Sequence, residues 1–160
     1  MLYLVVKTAH ILSALLFLGA GLMTAWYKVR ADRARDPKVI AWYAREIVLA
    51  DWIFTLPSGV TLPATGVWLA SLLGQPLTQG WVALGLACYA LAGTLWVPAA
   101  RLQSRMRQMA EAAARDGTPL PDAFHRANRV WLALGVPAFA VSLFAVWLMV
   151  AKHAALSLAL

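Results

Sequence analysis

Residues 5–26 read VVKTAHILSALLFLGAGLMTAW, an apolar run long enough for a membrane-crossing helix, which takes about 20 residues, yet it carries Lys7 and His10. The run decides the class of protein. It is too long for the apolar core of a signal peptide, no basic stretch precedes it, and no small-residue cleavage site followed by a soluble chain closes it. A retained first span over about 2–27 is therefore expected. Three more such runs follow, over about 47–73, 81–100 and 130–151. With 62% hydrophobic and 13% charged residues, the pattern predicts an all-α, four-transmembrane-helix bundle, a single integral membrane domain over 1–160 with no room for a soluble one.

Charge sets the expected orientation. The connector after the first run holds Lys28, Arg30, Arg33, Arg35, Lys38 and Arg45, and the one after the third holds Arg101, Arg105, Arg107, Arg115, Arg126 and Arg129. The middle connector, GQPLTQG, has no charge. The positive-inside rule then places the two basic connectors in the cytoplasm and both termini outside. The net charge of +7 is thereby assigned to topology and lipid headgroups, and nucleic acid is excluded as a partner.

Local signals refine the helices. Pro57 and Pro63 predict a kinked second span. The third helix is expected to continue to the Asp116-Gly117 break, Asp122 to cap the last helix, and a helical stretch to follow Asp36-Pro37.

Ionisable groups at membrane depth are costly and mark candidate sites. His10 lies about 12 Å below the outer end of its helix at 1.5 Å per residue. Ala14, Phe17 and Gly21 share its face, with Ser13 beside it. The small residues leave a shallow groove beneath the imidazole, suited either to a close helix crossing with a hydrogen-bonded histidine or to a planar cofactor whose metal takes the histidine nitrogen. Lys7, one turn outward, either snorkels to the headgroups or meets an acidic group such as a porphyrin propionate. Lys152 and His153, at the outer end of the last span, are interfacial anchors or a propionate partner and second axial ligand. His125, in a basic connector, reads as solvated.

Other residues have plainer readings. Asp51 is expected near a helix N-terminus, paired with an arginine such as Arg45 or Arg129, or else as a proton-relay carboxylate. Of eight tryptophans, Trp26, Trp52, Trp81, Trp96 and Trp131 fit interfacial belts, while Trp68 and Trp147 are placed where they could line a cofactor pocket. Met106 and Met109 fit helix packing better than copper, given Arg105 and Arg107 around them. Cys88 is alone, so redox work would need a cofactor. No P-loop, GxSxG, HExxH or paired-carboxylate pattern is present, which excludes nucleotide and hydrolase chemistry.

The runs VKTAHILSALLFLGAGL, ADWIFTLPSGVTLPATGVWLA and WLALGVPAFAVSLFAVWLMVAKH resemble a bacterial family of four-helix integral membrane proteins of unknown function, over nearly the whole chain. The resemblance implies the architecture and a bacterial inner-membrane location. More distantly, the K-x-x-H opening helix followed by F-x-G, the proline-bearing second helix ending in TG-x-WLA, and the basic third connector are similar to the HemJ-type protoporphyrinogen oxidases and to the CopD membrane domain. That similarity implies a haem b ligand at His10. Ala83 stands where the HemJ-type family places a functional lysine.

Two expectations follow. In one, the chain holds a b-type haem or porphyrin near the outer leaflet through His10, with Lys7, Lys152, His153, Ala14 and Gly21 around it, and works in electron transfer or in porphyrin or quinone redox chemistry. In the other it is a non-catalytic membrane subunit, assembly factor or small transporter acting as a homo-oligomer, with Gly66-xxx-Ala70 and Gly21-xxx-Ala25 as close helix contacts.

Overall fold

The computed structural model describes residues 1–152. They form α1 (Leu2–Ala34), α2 (Pro37–Ala50), a π-helical turn (Asp51–Thr55), α3 (Leu56–Leu72), α4 (Gly80–Asp116) and α5 (Asp122–Ala151). The all-helical architecture is as expected: Leu2–Ala34, Pro37–Leu72, Gly80–Asp116 and Asp122–Ala151 are each long and apolar enough to cross a membrane.

The helices outrun their apolar stretches, because the connectors are rich in Ala, Arg, Lys and Glu, which favour helix whether or not they face lipid. Helices end here at breakers and caps rather than where hydropathy falls. Thus α1 runs past Tyr27 to Ala34 and stops at Arg35, held at φ 54. Asp36 then caps α2, its carboxylate accepting the Lys38 N–H at 2.8 Å, with Pro37 in the first position. The second rod therefore starts at Pro37 rather than near Ile47. Gly117, at φ 65, ends α4 as expected. Pro121, not Asp122, occupies the N-cap position of α5; Asp122 is in the first turn, where its charge still meets the positive end of the helix dipole.

The expected kink of the second rod has a different form. The carbonyl of Ile53 would pair with residue 57 in an α-helix, and Pro57 has no N–H to give. The chain widens there into the π turn, with the Leu56 N–H reaching back to the Asp51 carbonyl. Beyond it, α3 continues unbroken through Pro63.

Packing is uneven along the bundle. Helix α4 lies along α5, and α1 along α3, while α2 joins α1 to α4 at the end that carries the arginines. At this basic end the core forms, with Ile40, Ala41, Ala99, Met106, Ala110, Phe124 and Trp131 buried together. Towards the other end the α1–α3 and α4–α5 pairs touch only briefly. Large apolar side chains such as Leu12, Leu15, Leu16 and Leu22 point outward, a surface suited to lipid.

Candidate functional site

The contact between α1 and α3 is built from polar and small residues. His10 Nδ1 lies 3.0 Å from the Leu62 carbonyl oxygen and 3.0 Å from Thr65 Oγ1. A carbonyl can only accept, so Nδ1 carries the hydrogen and Nε2 is left with the lone pair. No hydrogen bond to Nε2 occurs among the described residues. The ring lies over Gly66, where a Cβ would come within 3.1 Å of His10 Cε1. One turn further, Ser13 Oγ and Thr61 Oγ1 are 2.8 Å apart, and then the Phe17 ring covers Gly59.

The other expected site residues fall into place around this level. The Lys7 ammonium is exposed and sits 5.7 Å from the centre of the Tyr3 ring, outward of His10. Ala14 and Gly21 are half-buried, and a Cβ on Gly21 would meet the Phe139 ring of α5 at 4.0 Å. Lys152 caps α5 and is exposed. His153 lies outside the described residues. Leu62, Thr65 and Gly66, which hold the imidazole, are the partners that sequence reasoning did not name.

A second polar cluster, also unforeseen, sits at the basic end. Lys28 was counted among the orientation charges but is only 5% exposed. Its ammonium is 2.8 Å from Asp32 Oδ2 and lies 5.6 and 5.5 Å from the Phe124 and Trp131 ring centres. Asn128 Nδ2 donates to the same Asp32 oxygen at 3.1 Å. Trp131 is thus buried beneath the cation rather than standing in an interfacial belt. The clue was positional: residues 10 and 28 are five full turns apart at 3.6 residues per turn, so both share the inward face of α1.

Asp51 opens the π turn beside Thr55 and Gln103. It does not pair with Arg45, which lies 3.4 Å from Glu111 instead. The Thr55 side chain is buried, next to the Asp51 carboxylate. At the same end of the bundle, a small, partly open recess of about 20 Å³ lies between Lys28, Asp32, Tyr43, Gln103 and Phe124.

The remaining candidates resolve into packing and surface. Met106 is buried in the core and Met109 packs beside it. Trp68 and Trp147 are 50% and 44% exposed, and Trp147 stacks on Phe144. His125 is exposed, edge-on to Phe124. Among the described residues no three His, Cys, Asp or Glu side chains gather to hold a metal ion. The Gly66 and Gly21 patterns are occupied by His10 and Phe139 of the same chain.

Searches against characterised proteins and against solved structures returned no match. The apolar spans, the proline-bearing second rod and the polar α1–α3 contact instead fall within one family profile, described as predicted integral membrane protein (DUF2269), which matches residues 4–153, and the chain belongs to that family.

Proposed function

We propose that this membrane protein binds a b-type haem or a related porphyrin through Nε2 of His10 and serves electron transfer or porphyrin or quinone redox chemistry. One observation carries the reading: the Leu62 carbonyl accepts from Nδ1, which fixes the tautomer and leaves Nε2 as a free lone pair at membrane depth. Such backbone anchoring of the far nitrogen is how protein ligands to metals are oriented. The donor set fits a macrocycle better than a bare ion, since the single imidazole has no carboxylate, thiol or second histidine gathered with it among the described residues. The distant similarity to HemJ-type proteins supports the same residue.

A haem held there would supply one-electron chemistry at its iron. The chain's own part is to aim the imidazole, with Thr65 and Leu62 fixing the ring plane and Gly66 admitting it against α3. Lys7 and Lys152 are the cations at that end of the bundle, available to acidic groups on a ligand edge. On this reading that end faces outward from a bacterial inner membrane, an orientation that the positive-inside rule supports.

The same ring supports a second reading, in which His10 is only a latch between α1 and α3 in a non-catalytic subunit. Thr65 and Gly66 favour it, because they embrace the imidazole whether or not Nε2 is used. His10→Gln separates the two. A glutamine amide still donates to Leu62 but offers no imidazole nitrogen. Under the haem reading the protein expressed with ample haem shows a Soret band that His10→Gln abolishes while the fold persists. Under the latch reading there is no band in either form.

A further inference from the structure

We propose that the basic end of the bundle holds a binding groove for an anionic phosphoester that carries hydroxyl groups, a role separate from the haem reading. A partly open groove of about 690 Å³ lies between the α1–α2 turn and the α4–α5 turn. Arg35 and Lys38 line it from the first turn, Gly117 and Leu120 from the second. Asp32 and Phe124 also line it, and both face the recess beside Lys28, so the groove abuts the buried polar cluster. Its volume lies within the range of small-molecule sites, about 300–1,000 Å³, and exceeds what one inorganic ion would fill.

Arg35 sets this groove apart from ordinary basic surface. It ends α1 at φ 54, a left-handed conformation that is unfavourable for a residue with a Cβ and open to glycine. At the corresponding end of α4 the chain uses glycine, Gly117 at φ 65. Where the backbone favours glycine, α1 keeps an arginine whose side chain lines the groove.

The groove's cations are free to take an anion. Neither Arg35 nor Lys38 has an ion-pair partner among the described residues. Asp32 is engaged by Lys28, and the Asp36 carboxylate accepts the Lys38 backbone N–H. All Lys and Arg except Lys7 and Lys152 lie towards this end, where they outnumber Asp and Glu, so the field in the concavity favours an anion. A guanidinium and an ammonium on one wall suit a phosphate group.

The inner wall selects the rest of the ligand. Asp32 Oδ2 takes both the Lys28 ammonium and Asn128 Nδ2, while Oδ1 makes no hydrogen bond among the described residues and the side chain is 26% exposed. A free carboxylate oxygen repels a second anionic group and accepts an O–H. The phosphate therefore belongs at Arg35 and Lys38 with hydroxyls towards Asp32, and half-buried Leu120 adds apolar contact for the carbon between them. Asp32 is only five residues beyond Tyr27, which sets it about 8 Å past that end of the apolar run at 1.5 Å per residue. At this headgroup depth the same chemistry has two sources, the headgroup of phosphatidylglycerol and a soluble glycerol phosphate.

Calorimetric titration of the haem-free full chain in a non-ionic detergent tests the groove. The probes are glycerol 3-phosphate and dihexanoyl phosphatidylglycerol, with dihexanoyl phosphatidylcholine as the zwitterionic control. The wild type should bind at least one anionic probe and not the control; glycerol 3-phosphate alone marks a soluble ligand, and the lipid alone marks a headgroup site. Arg35→Gly gives the φ 54 position its favoured residue, so it should keep the thermal midpoint yet weaken binding by about tenfold, the scale of one charge-assisted hydrogen bond. Lys38→Gln should weaken binding similarly. Arg33→Gln removes an equal charge outside the groove and should leave binding nearly unchanged. Failure of both anionic probes to bind overturns the groove, as does equal binding of the control. Binding that survives both Arg35→Gly and Lys38→Gln, or that Arg33→Gln weakens as much as they do, also overturns it. Should Arg35→Gly fail to fold, Lys38→Gln against Arg33→Gln decides. The Soret band is read separately, so this proposal and the haem reading fail independently.

Discussion

The Tyr89 hydroxyl of α4 donates to the Gly59 carbonyl of α3 at 2.5 Å, and Gly59 is the residue whose carbonyl Pro63 leaves without a helical partner. A proline inside a membrane helix is tolerated when a neighbour satisfies the freed carbonyl. Tyr89→Phe should therefore destabilise the protein by about 1 kcal/mol, the usual net worth of one hydrogen bond. In a Pro63→Ala background the helix supplies its own N–H, and the same substitution should be nearly neutral. A double-mutant cycle on thermal unfolding in detergent measures the difference.

Gly66→Ala should displace the imidazole, since a Cβ would stand 3.1 Å from His10 Cε1, whose ring is held by contacts to Leu62 and Thr65. At Gly85 an added Cβ meets only the terminal methyl of Met149, which can swing away. Stability should fall clearly in Gly66→Ala and little in Gly85→Ala. Under the haem reading Gly66→Ala also shifts or weakens the Soret band, while Gly85→Ala leaves it in place.

The Lys28–Asp32 pair makes a sharper stability prediction. Removing one partner of a buried ion pair leaves the other charged in a poor solvent. Asp32→Ala should destabilise by about 2–4 kcal/mol, at the lower side of the buried-pair range because the Asp32 side chain is 26% exposed. Combining it with Lys28→Met should recover most of the loss, as the methionine retains the contacts with Phe124 and Trp131. Equal damage in the single and double variants would show that the pair does not share this energy.

Orientation can be read with thiol chemistry on a Cys88→Ala background. With the basic connectors in the cytoplasm, Gln75→Cys in the uncharged connector should react with an impermeant maleimide in intact cells. Thr118→Cys, in the basic connector, should react only after the membrane is opened. The reverse pattern would invert the bundle.

The spans were legible because hydrophobic runs of membrane length have few other uses, and residue 10 stood out as a histidine within one of them. Helix ends were less legible: hydropathy marks where lipid stops, whereas Arg35-Asp36, Gly117 and Pro121 mark where backbone hydrogen bonding stops. The irregularity in the second rod was expected at its prolines, but it fell one turn earlier, because the unsatisfied carbonyl precedes Pro57 by four residues. Lys28 was hidden by its company. Among Arg30, Arg33 and Arg35 it looked like one more headgroup cation, and only the helical phase it shares with His10, together with Asp32 four residues on, distinguished it. The partners of His10 on α3 were out of reach, because a single sequence does not reveal the register between two spans.

The visible spectrum of the purified protein, expressed with ample haem, bears most directly on the role of His10. A Soret band that is present in the wild type and lost in a folded His10→Gln variant is the expected result. A colourless wild type, or a band that His10→Gln leaves unchanged, would contradict ligation by His10 and leave the residue as a latch between α1 and α3.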